Sequence, residues 1–120
     1  MSTEKISIDL DFLQSIAGSK AKLIELLETF KSKIPIDLNA LNEYIQENNW
    51  SKVEKLAHKV RPNFSYLGAH PLANLVEEVE YQASGSQDKD FCEKTLNTIT
   101  EDYTIICKLI DEQLIKLKNE

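Results

Sequence analysis

Along most of the chain, apolar residues recur at steps of three and four, the spacing that gathers them on one face of an α-helix. Leu23, Leu27, Phe30, Ile34, Leu38, Leu41 and Ile45 form one such stripe, and it stays in phase across Pro35. A break would normally reset the phase, so the pattern predicts one long helix to about Gln46, kinked where Pro35 withholds a hydrogen bond from the Lys31 carbonyl. Val53, Leu56, Ala57, Val60, Phe64 and Leu67 make a second stripe, and Leu72, Leu75, Val76 and Val79 a third. The last runs through Cys92, Leu96, Ile99, Tyr103, Ile106, Ile110, Leu114 and Leu117.

Start and stop signals frame these stripes. Asp11 and Gln14 fit a capping box for a short helix from about Phe12 to Ala17, with Gly18 supplying the left-handed C′ residue and Ser19 capping the long helix that follows. After "ENNW", Ser51 and Glu54 offer a second capping box, and Gly68 closes that helix. Pro71 suits a first helical turn, with His70 beside it as a turn residue, and "SGSQD", Ser84 to Asp88, reads as a loop. There is no period-two run of β-branched residues and no internal repeat, and the chain has only three glycines and three prolines. The expectation is all-α: an antiparallel up-down four-helix bundle with an additional short N-terminal helix, because each short turn returns the chain beside its predecessor.

Composition narrows the partners. A chain of 120 residues with 42% hydrophobic content is expected to form a single domain over residues 1–120. Fourteen Lys and Arg against twenty Asp and Glu leave a net charge of −6, which argues against nucleic acid and anionic membranes and for protein partners. No apolar run approaches the roughly 18 residues of a membrane span, and "MSTEKISIDL" lacks the pattern of a secretory leader, so a cytoplasmic location is expected. A monomer is expected, although the residues themselves leave the oligomeric state open. Cys92 and Cys107, carried on one helix, would lie about 22 Å apart, beyond disulfide reach, and read as small apolar side chains.

The candidate chemistry centres on "KLAHKVRPNFSYLG", Lys55 to Gly68. At about 100° per residue, the second stripe fills a sector roughly 100° wide, and His58 sits roughly 150° from its centre, flanked by Glu54, Arg61, Pro62 and Ser65. An interior, hydrogen-bonded histidine is therefore disfavoured by geometry, and an imidazole facing water remains, with a basic residue one turn on. Pro62 has no N–H to give the His58 carbonyl. No Gly-rich phosphate loop, nucleotide-binding motif or nucleophile–base pair is present, so catalysis without a partner is not expected.

These residues resemble the signature of histidine phosphotransfer (HPt) domains, A-H-x-L-K-G with a Leu-Gly pair near the end of the same helix. Ala57 precedes His58, Val60 takes the leucine place, Arg61 the lysine place, and Leu67-Gly68 the closing pair; Pro62 stands where the family has glycine. "IDLDFLQSIAGSKAKLIELLETF" is similar to the family's first two helices, as is the tryptophan before the third. The resemblance implies a phosphoryl carrier of two-component phosphorelays. His58 would take the group from a receiver-domain aspartate, without an activating base, and pass it to another receiver, which brings Mg²⁺ and its acidic ligands. Arg61, Lys59 and Ser65 would support the phosphate, while Glu54, Lys55, Pro62 and Tyr66 would line the partner surface. No cofactor or metal is implied.

Two other classes stay open on the residues alone. One is an adaptor bundle whose histidine is never phosphorylated. The other is a metal site of His58, His70 and nearby carboxylates, although bundle metal sites project Glu-x-x-His inward and here Glu54 precedes His58 by four residues on the water side.

Overall fold

Five helices carry the stripes: α1 (Asp11–Ala17), α2 (Lys20–Gln46), α3 (Trp50–Tyr66), α4 (His70–Ser84) and α5 (Lys89–Asn119). The computed structural model describes residues 6–120, which contain no β-strand; Met1–Lys5, part of the stretch searched for a leader, lie outside the described residues. Each of α2 to α5 packs on its predecessor or successor, and α5 closes the ring against α2. The result is the expected four-helix bundle with a short extra helix, α1, laid on α2.

Every residue of the α2 and α5 stripes is buried, as are Val53, Ala57, Val60, Phe64 and Leu67 from α3 and Leu72, Val76 and Val79 from α4. Leu56 and Leu75 pack only partly against this core. Burial of this one face, rather than intrinsic helix propensity, holds the helices in place.

α2 runs unbroken through Pro35 to Gln46, as its phase predicts. The Lys31 carbonyl that Pro35 leaves unbonded accepts from the Tyr103 hydroxyl of α5 at 3.1 Å, so the backbone defect becomes a tie between α2 and α5. Tyr103 in turn meets Phe64 of α3 edge-on, with ring centroids 6.4 Å apart. Lys118 and Glu28 (3.3 Å) and Lys31 and Asp111 join the same two helices at the surface. Such exposed pairs contribute little to stability.

The ends differ in part from expectation. Ser19 caps α2 by accepting from the Lys22 amide, and Gly18 adopts φ +76° to end α1, both as expected. The Asp11–Gln14 capping box does not form: α1 begins at Asp11 after Leu10, and the Asp9 carboxylate accepts from the Asp11 amide at 3.0 Å. Nor does Ser51 cap α3. Asn49 does, accepting from the Lys52 amide, because Asn48 takes the left-handed conformation (φ +58°) that ends α2 and brings Asn49 directly into the cap position. α4 extends one residue into the expected loop, to Ser84, and Asp88 caps α5.

Gly68 shapes the end that matters for the site. It sits at φ +73° between α3 and α4, and the Ala69 amide reaches back to the Phe64 carbonyl at 2.8 Å. The segment before α1 crosses this turn: the Asp9 amide donates to the Leu67 carbonyl at 2.8 Å. A Cβ on Gly68 would lie 2.7 Å from Asp9 backbone and side-chain atoms, so glycine is required there for its conformation and for the close approach.

Candidate functional site

His58 lies mid-way along α3 on the face opposite its buried stripe, and 69% of its side chain is exposed. The wheel placed it correctly. It is not alone there, however. Nδ1 is 2.9 Å from Oε2 of Glu80 on α4, and an ionised carboxylate can only accept, so Nδ1 is the donor in this contact and, in the neutral ring, Nε2 carries the lone pair. Nε2 makes no hydrogen bond to a side chain among the described residues.

A second pair stands one turn along. Nη1 of Arg61 is 2.6 Å from Oε2 of Glu77 and 4.0 Å from Oε1 of Glu80. Glu80 is the sheltered member of the group, with 22% of its side chain exposed against 62% for Glu77, and its Oε1 is buried without a hydrogen-bond partner. The four side chains thus form a surface row, Glu77, Arg61, Glu80 and His58, laid across the α3–α4 seam. What holds the row together is the hairpin: Ala69 lies eleven residues after His58 and eleven before Glu80, and eight after Arg61 and eight before Glu77. Two antiparallel helices with equal rise per residue bring such mirror positions to the same height.

Residues 25–119 match the family profile of the Hpt domain. The chain belongs to the Hpt domain family. Hpt domains serve histidine phosphotransfer in phosphorelays and work with receiver domains, and the matched span takes in α3 to α5 and most of α2 while leaving α1 outside. The fold agrees. The crystal structure of histidine-containing phosphotransfer protein B (HptB) from Pseudomonas aeruginosa PAO1 superposes with a TM-score of 0.82 at 20% identity, covering 91% of this chain and 95% of that one. A comparison with curated protein sequences found no significant match.

Within the Hpt framework the other sequence-derived candidates separate. Glu54, Lys55 and Lys59 are exposed on α3, with Lys55 and Lys59 turned toward a shallow groove against α2 that Asp37, Tyr44 and Lys52 also line. Pro62 is half-buried within an α3 that continues to Tyr66. Ser65 makes no side-chain hydrogen bond to His58; its carbonyl accepts from the Gly68 amide at 3.0 Å. Tyr66 is 38% exposed, with one face stacked on Phe12 of α1 (5.7 Å between centroids) and Phe30 of α2 at 6.5 Å. It joins α3 to α1 and α2 about 12 Å along the helix from His58.

Arg61 is a half-buried side chain engaged by carboxylates from α4. And His58 does have a carboxylate partner, which reading α3 alone missed. The signal for Glu77 and Glu80 was present in the mirror spacing about the Gly68 turn and in their position off the Leu72, Val76 and Val79 stripe.

Proposed function

We propose that this chain accepts a phosphoryl group on Nε2 of His58 from the aspartyl phosphate of a receiver domain and passes it to the aspartate of a second receiver. The observation that carries the reading is the 2.9 Å contact of Nδ1 with Glu80, on a ring otherwise open to water.

The Nε2 lone pair attacks phosphorus as the bond to the receiver's carboxylate oxygen breaks, and that carboxylate leaves with the electron pair. The proton stays on Nδ1. The product ring is an imidazolium bearing a phosphoryl dianion, so total charge is conserved, and Glu80 faces the new positive charge across its hydrogen bond. A cationic ring is a good leaving group, so the same contact favours the return step to the next receiver. Arg61, three residues from His58 on the same helix, can turn toward the phosphoryl oxygens. Lys59 lies next to His58 and adds positive charge; Ser65 is too far along the helix to be more than a peripheral support. The receiver supplies Mg²⁺ and the acidic groups that hold it, since the row on this chain already spends its carboxylates on His58 and Arg61. Glu54, Lys55, Pro62 and Tyr66 flank the approach to His58 and form its partner surface, and the chain acts as one domain.

The test is incubation with phosphorylated receiver domains, following label onto this chain. The label should be lost in mild acid and kept in base, as a phosphoramidate is. His58→Gln should fold and stay unlabelled, because an exposed side chain leaves no cavity. Label persisting in His58→Gln but lost in His70→Gln would assign the wrong histidine.

A further inference from the structure

The row on the α3–α4 seam holds one more carboxylate than the transfer step uses. Glu77 does not touch His58, and as an exposed partner of Arg61 it adds little to folding. Yet it holds the guanidinium at 2.6 Å, while the buried, unpartnered Oε1 of Glu80 is left at 4.0 Å. The arginine is thus hydrogen-bonded to Glu77, the more exposed of the two carboxylates, and not to Glu80, the carboxylate that contacts His58.

We propose that Glu77 is a positioning residue that competes with phosphohistidine for Arg61 and so sets how tightly this chain holds its phosphoryl group. The proposal rests on the reading of His58 above. In the unmodified chain the guanidinium pairs with Glu77. A dianion on His58, one helical turn from Arg61, is the stronger attractant, but reaching it requires giving up Glu77. Every fraction of the Glu77 pair that survives is compensation the phosphoryl group does not receive. Competition of this kind lowers the affinity of the chain for the group and makes it a ready donor.

The competition makes a prediction that simple charge repulsion does not: Glu77 should matter only while Arg61 is present. The chain, Glu77→Gln, Arg61→Ala and the double variant are each brought to equilibrium with phosphoramidate and ammonia, and the phosphorylated fraction at His58 is read by phosphorus NMR. In this exchange the ring nitrogen displaces ammonia from phosphorus, so no partner protein is needed. Glu77→Gln should raise the equilibrium constant by about two- to fivefold, the size of an exposed ion pair, at unchanged Tm. Arg61→Ala should lower it, and adding Glu77→Gln to Arg61→Ala should change nothing further. No rise in the single variant, or the same rise in both backgrounds, overturns the competition while leaving His58 as the labelled residue. A parent chain that takes no phosphoryl group at His58 overturns both readings together.

Discussion

Nδ1 of His58 and Oε2 of Glu80 lie 2.9 Å apart across the α3–α4 seam, twenty-two residues apart in the chain. The contact selects the tautomer that leaves Nε2 nucleophilic, and it turns an exposed histidine on a helix surface into an oriented one.

Glu80→Ala should therefore release the ring, while Glu80→Gln keeps an acceptor oxygen and loses only the charge. In Glu80→Ala, nitrogen NMR of the His58 imidazole should show the proton redistributing between Nδ1 and Nε2, and phosphoryl transfer should slow on the order of tenfold, as expected when a charge-assisted hydrogen bond is lost and solvent screens part of the effect. Transfer and tautomer both unchanged would reduce Glu80 to a neighbour.

Lys55→Glu and Lys59→Glu should slow transfer without moving Tm by more than a few degrees, because both side chains are exposed. A steering role predicts that the defect lies in association with the receiver and shrinks as salt is raised toward 1 M, where the screening length falls to about 3 Å. Transfer by both variants at the parent rate in low salt would place the receiver elsewhere.

Gly68→Ala should destabilise the bundle by more than about 2 kcal/mol, since it adds a left-handed alanine to a clash with Asp9. Gly18→Ala is the matched control. Its φ is nearly the same, but nothing lies within 4 Å of the added Cβ, so only the conformational cost of about 1–2 kcal/mol applies. Urea midpoints for the two variants would separate backbone conformation from close approach.

Stability should fall in alkali. Burial, and secondarily Asp88, pushes the Cys92 thiol up to about 11 from its ordinary 9.0. Between these values the unfolded chain has released a proton that the folded chain keeps, so stability present below pH 9 is lost as pH rises toward 11. Burial also raises the Tyr103 phenol, extending the loss above pH 10. Cys92→Ala should lower Tm at every pH by its cavity cost yet flatten the slope between pH 9 and 11.

What the sequence by itself determined follows from local periodicity. A 3.6-residue repeat of apolar side chains is a property of each segment alone, so the five helices, the buried stripes, the passage of α2 through Pro35 and the outward face of His58 were all legible before any packing was known. The Gly18, Ser19 and Gly68 signals were local too, and they held. The capping boxes at Asp11 and Ser51 did not, because Asp9 and Asn49, each two residues nearer the chain start, reached the free amides first. Only the tertiary structure decided what lies opposite each residue. Tyr103 meets the Lys31 carbonyl across seventy-two residues, and Glu80 and Glu77 meet His58 and Arg61 across the hairpin. Those partners depend on the register between helices, which is set by the turn at Gly68 and by the core closing behind it. A single helix's pattern carries no record of that register, so α3 alone could show where the histidine points but not which carboxylate holds it.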